Sequence, residues 1–202
     1  MARKTDRFPI GLWYCVGTSA TVRVLIGSHM HYKLPPTSAD EIAEYFLTLG
    51  RRDEIEIDPL KLQKLLYYAQ SWHLAELGEL LFKEKIEAWP VGPVVATVYR
   101  QYKVFGSKAI DTTGIKQPPL TEEEAELLES VWCRYGKLSG PKLAGMSHHE
   151  DPWIKARGNL PLAKPSNKEV KPEVMRQYFC ERMRKANEDL AGLLPIIARM
   201  AK

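Results

Sequence analysis

Cysteine is scarce in this 202-residue chain. Cys15, Cys133 and Cys180 are the full complement, widely spaced, odd in number and without a CxxC pair. That pattern argues against a disulfide framework and against a zinc site, and it fits a reducing, cytoplasmic setting. Long apolar runs are also missing. No stretch approaches the roughly 18–20 residues needed to cross a bilayer, so no membrane association is expected. There is no G-x-S-x-G elbow, no phosphate loop, no dinucleotide fingerprint and no H-E-x-x-H helix, which removes the common signatures of hydrolases, nucleotide-dependent enzymes and zinc peptidases. No cofactor is expected. Internal repeats and low-complexity segments are absent as well.

An excess of positive charge would point to nucleic acid, and the net charge is +4. Its distribution removes that reading. Residues 1–34 hold Arg3, Lys4, Arg7, Arg23 and Lys33 against Asp6 alone, which leaves 24 basic and 24 acidic residues in the remainder. A neutral body lacks the basic surface that phosphate contacts require, so nucleic-acid binding is not expected.

What is present is apolar content of 45%, enough for one sizeable core. The first 36 residues read differently from the rest, as a native extension or a cloning-derived segment. Phe8 to Val16 is a poor secretion signal because Pro9 and Gly11 interrupt it. Thr21 to Ile26 could form a short strand, and Gly27-Ser28-His29-Met30 has the look of a cloning scar.

From Ser38 onward the punctuation is helical. Ser38 and Glu41 form a capping box opening a helix with Ile42, Phe46 and Leu49 on one face, ended by Gly50 and the charges that follow. Asp58-Pro59 starts a second helix, stopped by Gly78. This helix is apolar on more than one side and should be buried on more than one side. Ile86 to Trp89 reads as an extended segment. Gly92-Pro93 should turn the chain into a third helix carrying Val94, Val95, Val98, Tyr99, Tyr102 and Phe105, with Gly106 as its stop. Ala109 to Ile115 reads as a further short strand. Thr121 and Glu124 cap a fourth helix, Ser139 a fifth, and Asp151 should cap a sixth that starts at Pro152 and ends near Gly158. Residues 159–167 form a loop. Pro172 opens another helix, and Leu190 to Met200 a last one, with a kink or break at Pro195. The fold class is therefore mainly α, a multi-helix domain with a small two- or three-stranded β element.

Chemistry-bearing groups are few. His148, His149, Glu150 and Asp151 are the one metal-like cluster, but the spacing lacks ligand geometry and reads more simply as a polar turn. A Cys/His pair could be drawn from Cys133 or Cys180 with His73 or His148. Cys133 beside Trp132 in an apolar-periodic helix reads instead as an inert, packed thiol. The aromatic residues Trp72, Trp89, Tyr99, Tyr102, Trp132 and Trp153 should mostly be core, with an exposed subset available to a protein partner. Trp89 and Pro90 lie at a strand-to-turn junction where partial exposure is expected.

Three stretches carry a resemblance. They are Ser38 to Leu47 (SADEIAEYFL), Lys61 to Gln70 (KLQKLLYYAQ), and Ile86 to Val95 (IEAWPVGPVV) followed by Val98-Tyr99. Together they resemble the Panacea domain of SocA-like antitoxins and phage-associated GepA-like proteins. Leu143 with His148, Pro152 and Trp153 is similar to the same family's later H-x-x-x-P-W element. The resemblance covers residues 37–157 and leaves 158–202 as a helical extension that packs on the domain or contacts the partner. It implies an antitoxin with no catalytic residue, whose partner is a toxin encoded by an adjacent gene. Family toxins include small alarmone-synthetase-like enzymes. It also implies two alternatives, an adaptor delivering the toxin to the ClpXP protease and a DNA-binding autoregulator, the latter disfavoured by the neutral body. The matching positions Trp89, Pro90, Gly92, Pro93, Tyr99, Tyr102, His148, Pro152 and Trp153, with Leu193 and Ile197 of the last helix, are candidate partner-binding or fold-determining residues. Neither the oligomeric state nor the toxin is specified.

Overall fold

A computed structural model describes residues 37–200, with side-chain surroundings through residue 189. The expected strand at Thr21–Ile26 lies outside the described residues. Helix α2 (Pro59–Leu77) forms the axis. It begins as expected, with the Asp58 carboxylate accepting the Lys61 N–H at 2.8 Å, and ends at Gly78 in the left-handed region. Almost every residue from Pro59 to Ala75 is buried. The reason is compositional: Leu62, Leu65, Leu66, Tyr67, Tyr68, Ala69 and Trp72 leave no polar face wide enough to wet.

Other elements surround this axis. Helix α1 (Ala39–Arg52) opens with the Ser38–Glu41 capping box, and α4 (Glu122–Tyr135) opens with the Thr121–Glu124 box. Strands β1 (Ile86–Trp89) and β2 (Gly92–Val95) form an antiparallel hairpin with Trp89 opposite Gly92, followed by α3 (Ala96–Tyr102) and a single 3-10 turn. Helices α5 (Gly140–His148), α6 (Asp151–Arg157) and α7 (Pro172–Met200) complete the order. α1, β2, α3, α4, α5 and α7 all contact α2. No helix among the described residues is long and apolar enough to cross a membrane.

Aromatic packing joins three of these elements. Tyr68 of α2 stacks on Tyr135 of α4 at 4.0 Å between ring centres, and the Trp72 indole N–H donates to the Tyr135 hydroxyl at 3.1 Å. Phe179 of α7 meets Trp72 edge-on at 5.0 Å and lies close to Tyr67 and Tyr68. Phe179 and Met175 are buried, so the first turns of α7 belong to the main core.

Four expectations are corrected. Gly92–Val95 is a strand, not the start of a helix; two β-branched residues pack flat on α2, and the Pro90-Val91 turn reverses the chain one residue before Gly92. Ala109–Ile115 is not a strand. Only Ile110 in it is buried, its N–H donating to the Ile57 carbonyl at 2.9 Å, and Asp111 caps the turn that follows. Gly50 itself does not stop α1, which ends two residues later at Arg52, within the charged run that follows. It is buried within the helix, and a Cβ there would lie 2.8 Å from the Ile55 carbonyl oxygen. Residues 190–200 are not a separate last helix: α7 runs unbroken from Pro172 to Met200, Pro195 included, since a proline inside a helix removes a single hydrogen bond. The sheet itself has two strands, extended by Lys168–Val170. Ala88 N–H donates to Lys168 O and Val170 N–H to Ile86 O, both at 2.8 Å.

Phe179→Ala should remove the ring that ties α7 to α2 and cost about 3–5 kcal/mol in urea unfolding. A loss no larger than that of an exposed-site control would show that α7 is not part of the cooperative core.

Candidate functional site

Most of the residues singled out by the sequence meet at the hairpin tip, and they are held from inside. Lys64 of α2 is fully buried, and its ammonium donates to the Pro93 carbonyl at 2.8 Å. One residue earlier on α2, the Gln63 side-chain oxygen Oε1 accepts the Val95 N–H at 2.7 Å. Gly92 sits directly over this contact with φ +99°; a Cβ there would lie 2.7 Å from Ser147 Oγ and 2.8 Å from Lys64 Nζ. Glycine is thus required twice, by backbone conformation and by space. Burial pushes the Lys64 ammonium from its ordinary 10.5 down to about 7.

The opposite side of the tip is pinned by α5 and α6. The His148 ring lies 4.4 Å from the Trp153 ring, and the Trp153 indole N–H donates to the Trp89 carbonyl at 3.0 Å. Burial, with Lys64 nearby, lowers the His148 pKa, and its Nε2 is buried without a hydrogen-bond partner. Arg157 is 2% exposed and forms no ion pair among the described residues. Its guanidinium donates to the carbonyls of Ala88, Pro161, Leu162 and Lys164 at 2.6–3.1 Å, fixing the loop after α6 against β1. It also lies over the Trp153 ring, 5.3 Å from the centroid.

A second buried cluster lies behind the first. Glu150 is 3% exposed and accepts from Tyr67 Oη at 2.8 Å, Arg182 at 2.8 Å and Tyr68 Oη at 3.4 Å. Burial pushes its carboxyl up, against the opposing pull of the Tyr67 hydroxyl and the Arg182 guanidinium. The pair Glu150–Arg182 fixes α7 against the junction of α5 and α6, and breaking a buried pair on one side is costly.

The candidate residues therefore divide. Gly92, Pro93, Pro152 and Trp153 are buried, while Trp89, Pro90, Tyr99, Tyr102 and His148 are half-buried. The Trp89 ring packs edge-on against Tyr99 at 5.0 Å, and its indole N–H donates to Glu87 at 2.7 Å. Tyr102 lies away from the tip, against the main core. Leu193 and Ile197 fall on α7, with side chains outside the described residues. Asp151 does not cap α6. Glu150 holds the N-cap position with no capping bond, because its carboxylate turns inward, and Asp151 pairs with Lys155 in the exposed first turn. Cys133 is exposed on α4 rather than packed, since Trp132 takes the inward position. Among the described residues no group of His, Cys, Asp and Glu is placed to hold a metal.

In the sequence Lys64, Arg157 and Arg182 are not visible as site residues, and Glu150 is visible only as a member of the metal-like cluster. Lys64 had one signal, a lysine among the apolar residues Leu62, Leu65 and Leu66 of a helix expected to be buried on more than one side. Glu150 stood in a run of four polar residues with nothing to mark it as the buried one.

Residues 62–154 match the family model described as Antitoxin SocA-like, Panacea domain. Antitoxin SocA of Caulobacter vibrioides (strain NA1000 / CB15N) is 33% identical over 132 residues, covering 58% of this chain and 70% of the relative. No solved structure matches the chain significantly. The matched span includes Lys64, the hairpin, Glu150 and Trp153, and ends before Arg157, the loop after it and α7.

Gly92→Ala should cost about 2–4 kcal/mol, from left-handed strain plus overpacking, measured by denaturant unfolding. An effect below about 1 kcal/mol would mean that the tip can move off α2. Lys64 also sets a pH dependence. Between about pH 7 and 10.5 the unfolded chain holds a proton that the folded amine has released, so stability rises with pH. The expected slope is up to about 1.4 kcal/mol per pH unit from pH 7 to 9.5, and Lys64→Met should flatten it. Equal slopes in the two proteins would exclude a neutral buried amine.

Proposed function

Because this chain belongs to the SocA-like antitoxin family built on the Panacea domain, we propose that it neutralises a toxin encoded by an adjacent gene through direct protein binding. The observation that carries this reading is the family match over the α2–hairpin–α6 unit. The fold adds a physical reason. Within that unit Gln63, Lys64, Gly92, Pro93 and Trp153 are spent on internal contacts. They build a rigid scaffold around α2, and such a scaffold can present a preorganised surface without any reacting group of its own.

Neutralisation in this reading is occlusion. The toxin is bound in a form whose active site is covered or held inactive, which needs complementarity and no catalytic residue. Where the toxin is a small alarmone-synthetase-like enzyme, binding should suppress alarmone accumulation. Co-expression tests the proposal. The adjacent gene product alone should arrest growth, this protein should restore growth, and the two should co-purify. A product that is harmless alone, or that stays toxic in the presence of this protein, would overturn it. The toxin's half-life separates masking from delivery to ClpXP: masking leaves it unchanged, whereas an adaptor shortens it only when the protease is present.

A further inference from the structure

Two segments converge at the outer end of the hairpin. Lys168 pairs beside Ala88 and runs antiparallel to β1, so the residues before it head towards the Pro90-Val91 turn. Arg157 fixes the same loop from beneath, since one guanidinium holds both Ala88 O and Leu162 O. The turn is fixed independently by the Trp153 bond to Trp89 O. Backbone on both sides is thus rigidly placed although neither segment is a helix.

The carboxylates on these segments are engaged, Glu87 by the Trp89 indole and Glu169 by Lys171, which leaves exposed apolar groups and lysines. Val91 is 47% exposed and Leu162 is 60% exposed, two of the few large apolar residues so open to solvent. Lys164 and Lys168 are exposed and have no ion pair among the described residues, whereas the neighbouring Lys155 and Lys171 are neutralised by Asp151 and Glu169. The buried Arg157 adds a third cation whose partners are carbonyl oxygens rather than a carboxylate. Since the chain from residue 35 onward is neutral, this local excess is a feature of the face. A rigid patch with exposed apolar centres and unneutralised lysines is complementary to a protein segment with apolar side chains flanked by carboxylates. Exposed Val and Leu have no role against a phosphate backbone, which favours protein over nucleic acid.

We propose that this hairpin–loop face is the toxin-docking surface, and that it receives a segment of the toxin in which apolar residues are flanked by Asp or Glu. The assignment rests on the antitoxin reading. It places much of the contact on Leu162, Lys164 and Lys168, which lie beyond the matched span.

The test uses the full chain and the purified product of the adjacent toxin gene in titration calorimetry, with growth rescue alongside. Lys164→Glu with Lys168→Glu should weaken binding by about tenfold or more and reduce its salt dependence. Val91→Asp with Leu162→Asp should weaken it by about a hundredfold, as loss of apolar anchors at a contact centre does. The charge-matched pair Lys103→Glu and Lys108→Glu, on exposed positions after α3, should bind within about threefold of wild type. Thermal melting checks that each variant is folded, and the lysine pair, fully on the surface, carries the test where the aspartate pair fails to fold. Wild-type binding with both variant pairs unaffected would overturn the docking surface and leave the antitoxin reading standing. Absence of wild-type binding and rescue would overturn the antitoxin reading itself. Retention of upstream duplex DNA that the lysine reversal abolishes, with toxin binding intact, would overturn the assignment in favour of a nucleic-acid contact.

Discussion

Helix α2 is buried around nearly its whole circumference, and it nonetheless carries Gln63, Lys64, Gln70 and His73. A buried polar group must find a partner inside the protein, because lost hydration costs more than a typical hydrogen bond returns. Each of these side chains makes at least one such bond to irregular or edge backbone, although Gln63 Nε2 is left without a partner. Gln70 bonds three backbone groups of Leu81 and Phe82, His73 meets the Glu79 carbonyl, and Gln63 and Lys64 take Val95 N–H and Pro93 O. The central helix therefore dictates the course of the two segments that follow it. The chain after Gly78 is placed by side chains already fixed in α2.

The same requirement explains the hairpin. Backbone donors and acceptors of β2 face α2 rather than a third strand, so the sheet can stay small. β1 is covered on its other side by Lys168–Val170 and by Arg157. Both sheet edges are thus occupied within the chain, which removes a template for unwanted strand pairing. Glu150 plays the equivalent role for α7. Its buried carboxylate joins two tyrosines of α2 to Arg182 and ties the helix beyond the matched span to the core.

For function, the consequence is a division of labour. Much of the matched span is interior, and Gln63, Lys64, Glu150 and Trp153 within it have their side chains committed to internal hydrogen bonds. A partner can read only what the scaffold holds outward, which at the tip means Val91, Leu162 and the lysines beside them. An antitoxin of this design can keep its frame while these outward side chains change, since their internal hydrogen bonds run through backbone atoms and not through the side chains.

The local code determined a good deal by itself. Both capping boxes, the Asp58-Pro59 start and Gly78 stop of α2, the Ser139 cap of α5 and the mainly helical class follow from short-range rules, because caps and periodicity are satisfied within a few residues. The resemblance in Lys61–Gln70 and Ile86–Val95 was likewise readable without coordinates. The tertiary structure decided the remainder. Val94-Val95 became a strand because α2 offered Gln63 and a flat apolar surface. Glu150 rather than Asp151 turned inward because two tyrosine hydroxyls and Arg182 converge there from positions more than thirty residues away in either direction. Arg157 became a clamp because the Ala88 carbonyl, 69 residues back, meets three carbonyls of the loop just after α6 at one point. Each of these depends on groups far apart in the chain, and a one-dimensional pattern holds no record of which buried polar atoms will face one another.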